Sequence, residues 1–159
     1  MTSPLHWREY LIEAAGLALF MLSAATMTTL LEHPASPIRH ALPDALVRRM
    51  LMGVAMGATA AALIYSPWGR RSGAHFNPAV TLTFLRLGKV ARRDALFYGA
   101  AQFAGGVLGI AAAAAALRPW IADAAVNYVA TTPGAGGEHA AFAGELAISF
   151  VLMLTVLTV

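Results

Sequence analysis

Four long stretches almost free of charge decide what this chain can fold into. Tyr10 to Leu31 carries one charge, Glu13, while Met50 to Pro67 and Ala95 to Leu117 carry none. A fourth begins near Ala140 and stays apolar, Glu145 excepted, to Val159. Each approaches or exceeds the roughly 18–20 residues that take a helix across a bilayer. Lipid offers no partner to backbone N–H and C=O groups, so such segments must satisfy themselves as helices. Charged residues make up 12% of the chain, about half the usual share in soluble domains. One apolar helix in a soluble core would explain one such block, not four in a row. The first block has no basic residue ahead of it beyond Arg8 and runs too long for a cleaved leader, so it reads as an anchor that stays.

The cations sit in short runs between the blocks rather than in a stripe with interleaved aromatics, which argues against a nucleic-acid partner and for membrane topology. With the N-terminus on the cytoplasmic side, seven fall inside (Arg8, Arg70, Arg71, Arg86, Lys89, Arg92, Arg93) and four outside (Arg39, Arg48, Arg49, Arg118), as the positive-inside rule favours. Trp7 and Tyr10, Tyr65 and Trp68, and Trp120 and Tyr128 stand at block ends, where an interfacial belt is expected. Glu32 to Pro43, with three prolines, reads as an irregular connection, and Thr131 to Gly137 as a flexible linker. The chain has no cysteine, its five histidines lack metal-ligand spacing, and no nucleophile–base pair is evident, so neither an enzyme nor a cofactor is expected.

Between the second and third blocks lies a different kind of segment. Val80 to Leu87 is apolar apart from Arg86 and far too short to span. It is preceded by Ser72-Gly73-Ala74-His75-Phe76-Asn77-Pro78-Ala79. Asparagine is a favoured helix cap and proline a favoured first helical residue, so a helix starts at Pro78 or Ala79 and ends near Gly88. Flanked by two spans, it reads as a re-entrant half-helix over about 78–87. Irregular backbone at membrane depth is tolerated where it is buried in protein or lines a wet cavity. Gly73 to Phe76 is therefore expected to run extended along water, its carbonyls forming a ladder of acceptors. The positive end of the half-helix would repel cations, while Asn77 donates to a passing neutral molecule.

An internal repeat runs through the same blocks. Glu13, Ala15, Met21, Leu22 and Thr26 align with Glu145, Ala147, Met153, Leu154 and Thr158, and Ser23 falls over Thr155. Three crossings, counted from Glu13, put the two copies in opposite orientations, the inverted-repeat plan that sets a site at the repeat interface. A glutamate within a spanning helix normally faces the protein interior or a cavity. The choice lies between a hydrogen-bonding brace and a proton-relay pair. With no third acidic residue or spanning histidine to join them, the brace is favoured. Gly53 with Gly57, and Gly105 with Gly109, are small-residue pairs suited to close helix packing.

In this context Ser72-Gly-Ala-His-Phe-Asn77-Pro-Ala-Val-Thr-Leu82 resembles the signature of the aquaporin and glycerol-facilitator (major intrinsic protein) superfamily. Glu13-Ala-Ala-Gly16 resembles the family's first-span pattern, Ala101-Gln102-Phe-Ala-Gly105 its third, and Phe142 to Phe150 its fourth, with Ser149 where threonine is usual. The resemblance covers nearly the whole chain, residues 1–159, as a single transmembrane region. It implies an all-α, right-handed helical bundle with a re-entrant half-helix, spans at about 10–31, 50–67, 95–117 and 140–159, and truncation after the fourth. It implies a multi-pass protein of the plasma or inner membrane, assembled as a homo-oligomer, a tetramer by resemblance. Gly73, Ala74, His75, Phe76, Asn77, Pro78 and Ala79 become pore-lining candidates, and Glu13, Glu145 and Gln102 structural braces. His75 is left between a gate near the cytoplasmic mouth and a structural histidine bonded to loop backbone.

The second-span contributor to the constriction should lie about five to six turns before Asn77, around Met56, Gly57, Ala58 or Thr59. None of these is aromatic, which points to an atypical or wider constriction than the phenylalanine or tryptophan that the resemblance implies there. The family's second half-helix, with its own Asn-Pro-Ala-type motif and constricting arginine, does not occur in these residues, and the sequence ends within its fourth span. The expectation is a passive channel for water or small uncharged solutes. The alternative is a truncated, non-conducting subunit of the same fold.

Overall fold

The structure, a computed structural model, describes residues 4–158; Val159, the last residue of the expected fourth span, lies outside them. Among the described residues every regular element is helical: α1 Trp7–Glu32, α2 Pro37–Ala41, α3 Ala45–Tyr65, α4 Pro67–Ser72, α5 Pro78–Arg86, α6 Arg92–Ala116 and α7 Gly137–Thr158, with short 3-10 turns at Trp120–Ala122 and Asn127–Val129. Helices α1, α3, α6 and α7 are each long and apolar enough to cross a membrane. At 1.5 Å per residue α1 is about 39 Å long and α5 about 13 Å, so α5 reaches less than half way across a ~30 Å hydrocarbon core.

The chain divides into two units, one ending at Val129 and one beginning at Ala130. The second consists of a connection and α7, which carries Glu145. The first is organised around α1 and α6. A Cβ built on Gly105 would stand 2.7 Å from the Ala14 carbonyl carbon, and one on Gly109 2.8 Å from Ala18 Cα. Helix α6 therefore lies backbone to backbone on α1, and partners 14 with 105 and 18 with 109 advance together, which makes the two helices parallel. Toward their C-terminal ends Ala25 and Ala113 join Ile121 and Val126 of the 3-10 region in a small apolar core.

Toward their N-termini the packing is aromatic and polar. Tyr10 stacks on Phe97 with ring centroids 5.1 Å apart, and its hydroxyl donates to Asp94 at 2.5 Å. Hence Tyr10 is buried, unlike Trp7, Tyr65, Trp68, Trp120 and Tyr128, which are exposed as an interfacial belt requires. A phenol with a carboxylate and a ring to meet does better inside the helix pair than at a lipid interface.

Several connections are more ordered than their composition suggests. Residues 32–43 hold α2, which begins at Pro37, where the missing N–H costs nothing. Arg48 pairs through two nitrogens with Glu32, at 3.2 and 3.1 Å, and Nη1 donates to the carbonyls of Leu42 and Pro43. That clamp folds the connection back on α1. Arg48 itself lies on α3, which starts at Ala45, five residues before the apolar block, because Asp44 accepts from Leu46 and Val47 N–H and caps it there. Ser66 likewise caps α4 by accepting from Gly69 N–H at 2.9 Å, and α4 closes at Gly73 with φ 87°, a left-handed geometry that glycine adopts freely.

Candidate functional site

Helix α5 starts where the sequence places it. Asn77 has extended backbone, its Oδ1 accepts from Ala79 N–H at 2.7 Å, and Pro78 occupies the first helical position. The amide nitrogen Nδ2 of Asn77 has no acceptor among the described residues, so its two hydrogens remain available for a ligand.

The preceding loop is not extended. Gly73, Ala74 and Phe76 all have positive φ, at 87°, 51° and 43°. Left-handed backbone at alanine and phenylalanine is uncommon and needs outside support. Glu13 supplies it: Oε1 accepts from His75 N–H at 3.1 Å, and Oε2 from Phe76 N–H at 2.6 Å. The loop turns two consecutive amides onto one carboxylate, and because N–H and C=O point oppositely across a trans peptide, the carbonyls of Ala74 and His75 both face away from Glu13.

Glu13 and Gln102 are both fully buried. Gln102 Nε2 donates to Glu13 Oε2 at 2.8 Å and lies 3.0 Å from Thr81 Oγ1. The Thr81 hydroxyl in turn meets His75 Nδ1 at 3.0 Å. The connected set Gln102–Glu13–loop amides–His75–Thr81 joins α1, the loop, α5 and α6, and no buried side-chain nitrogen or oxygen among the described residues lacks a partner. A buried carboxylate is tolerable when donors surround it, and here three converge. His75 is also stacked on Phe84, with centroids 5.0 Å apart, and meets Tyr98 edge-on at 5.1 Å. The Tyr98 hydroxyl donates to the Ser72 carbonyl at 2.6 Å, which ties the end of α4 to α6.

The structure thus brings Glu13, Gln102 and Gly73 to Ala79 into one neighbourhood. Beside it lies an open pocket of about 340 Å³, lined in part by Ser72, Gly73, His75, Asp94 and Tyr98. Met56 and Gly57 lie on α3. One turn on, Thr59 Oγ1 is 2.9 Å from Ser23 Oγ of α1 and also donates to the Ala55 carbonyl. Glu145 lies on α7 of the second unit.

Sequence reasoning gave no role to Thr81 or Tyr98, yet both were legible. Tyr98 is four residues before Gln102 on α6, so the two share a helix face, and Thr81 lies in the first turn of α5 just after the cap.

The description "Major intrinsic protein" matches residues 1–159 of this chain. The chain is 41% identical over 103 residues to Aquaporin NIP1-3 of Oryza sativa subsp. japonica, covering 65% of this chain and 34% of that protein. It is 32% identical over 157 residues to Aquaporin-8 of Botryotinia fuckeliana, covering 94% and 46%. It is 47% identical over 60 residues to Aquaglyceroporin AqpS of Rhizobium meliloti, covering 38% and 25%. The chain spans less than half the length of these curated relatives. No solved structure gives a significant match.

Proposed function

The chain belongs to the major intrinsic protein family, and from that premise we propose that it forms part of a passive transmembrane pore for water or small uncharged solutes. One observation carries this reading. A half-helix too short to span begins after a capping asparagine whose side-chain amide hydrogens meet no acceptor among the described residues, at the end of a loop held by a buried carboxylate. The N-terminus of α5 presents a partial positive charge. A neutral molecule that accepts a hydrogen bond gains from Asn77 Nδ2, whereas a cation meets the repulsion of the helix N-terminus. Gly73, Ala74, His75, Pro78 and Ala79 complete the wall at this depth, Phe76, expected there too, has its ring turned onto Gly16 of α1, and Met56 and Gly57 contribute from α3.

The counterpart of this half comes from the inverted repeat, with Glu145 in the role of Glu13. The protein sits in the cell membrane with its N-terminus in the cytoplasm, assembles as a homo-oligomer, and transports rather than catalyses. Water, glycerol and related solutes all meet the chemical requirement of an uncharged acceptor.

The test uses the full-length product of the gene that encodes residues 1–159, reconstituted in vesicles. Osmotic swelling above that of empty vesicles is expected, with no ion conductance. Asn77→Asp removes the donor and sets a carboxylate against the helix N-terminus, so neutral-solute flux should fall or cation leak rise. If the wild type does not swell vesicles, the protein is a non-conducting member of the fold. If Asn77→Asp changes neither flux, the role given to Asn77 is wrong.

A further inference from the structure

We infer that Gly16 is a positioning residue for the pore: its missing side chain seats the Phe76 ring and thereby fixes where Asn77 stands. The inference rests on the channel reading above. A Cβ built on Gly16 would lie 2.5 Å from Phe76 Cδ1 and 2.8 Å from Cζ, and closer still to Cε1. The ring therefore occupies the space a side chain would take. Gly16 is three residues after Glu13, so both lie on one face of α1. The loop is fastened to that face twice, by a carboxylate that takes two adjacent amides and, one turn on, by a bare patch of helix that takes a ring.

The two fastenings do different things. Two neighbouring N–H groups bound to one carboxylate act as a hinge, holding the loop in place while leaving it free to tilt. The ring on Gly16 supplies a contact off the hinge line and stops the tilt. Asn77 is the next residue along the chain. Its Oδ1 is committed to Ala79 N–H, so the position of Nδ2 follows the backbone at residue 77 and has little freedom of its own. Carbon atoms in contact settle at about 3.5 Å or more, so a methyl at position 16 must drive the ring away by at least about 1 Å. Glu13 retains the amides, so the loop cannot simply lift off, and the displacement passes into residues 76 and 77.

The test compares Gly16→Ala, Phe76→Ala and the double variant in the full-length protein, measuring water and glycerol permeability per folded protein. Gly16→Ala should lower water permeability at least threefold and change the glycerol-to-water ratio. Phe76→Ala removes Cδ1, Cε1 and Cζ, every ring atom the new methyl would meet, so the double variant should return to within twofold of wild type in both readouts. If Gly16→Ala does not fold, recovery of folded protein and of the wild-type ratio in the double variant supports the inference, and failure to recover overturns it. A conducting wild type whose folded Gly16→Ala variant keeps both values, or a double variant no better than the single, overturns the inference alone. A wild type that passes no solute overturns the channel reading, and this inference with it.

Discussion

Removal of the Glu13 carboxylate is the sharpest test of how the loop is held. In Glu13→Ala three donors lose their acceptor: the N–H groups of His75 and Phe76 and the Nε2 of Gln102. The His75 amide and Gln102 are buried, whereas the Phe76 amide is only partly so. An unsatisfied buried donor costs about 1–3 kcal/mol, so the two buried ones alone predict a loss of about 2–6 kcal/mol. That is a large share of the ~5–15 kcal/mol that usually separates folded from unfolded domains. The left-handed backbone at Ala74 and Phe76 loses its support at the same time. Glu13→Gln keeps one acceptor oxygen but points an NH2 at a remaining donor, so its loss should be smaller, about 1–3 kcal/mol for one unmet group. Thermal unfolding in detergent, followed by fluorescence-detected size exclusion, should rank wild type above Gln and Gln above Ala, and swelling should fall in the same order. Equal stability of Ala and wild type would refute the brace. A Gln variant that folds like wild type but loses a proton-coupled flux would refute it in favour of a relay.

Two further outcomes are expected. Gly105→Ala should destabilise by about 1–3 kcal/mol, because its methyl meets Ala14 backbone at 2.7 Å, whereas Gly106→Ala, whose methyl would sit 3.7 Å from Leu17 Cδ2, should be nearly neutral in the same unfolding assay; equal effects would refute the close packing of α1 on α6. Single cysteines at Arg70 and Ala135, in a chain with no native cysteine, should react with impermeant reagent from opposite sides of the membrane, and labelling from one side would refute the assigned topology.

The long helices could be read directly from the sequence because lipid imposes a local rule. A run of apolar residues must satisfy its own backbone, and only a helix does so within one segment. The start of α5 was equally local, since a cap acts on the next two or three residues and Asn77-Pro78 carries its own signal. Short apolar runs gave no such guide at α2 and α4. Those helices exist through caps and clamps, Ser66 on α4 and Arg48 on the connection that holds α2.

By itself, then, the sequence determined the helical class, the half-helix and the glutamate that had to be buried, because each follows from periodicity, capping or the cost of charge in lipid. The tertiary structure alone decided the loop. Gly73 accepts either backbone, whereas at Ala74 and Phe76 local preference favours an extended run over a left-handed one. The choice was made about 60 residues away, where Glu13 and Gly16 set a carboxylate and a gap on the same face of α1. Left-handed backbone costs roughly 1–2 kcal/mol at each of Ala74 and Phe76. Two charge-assisted hydrogen bonds, at about 1.5–3 kcal/mol each, outweigh it.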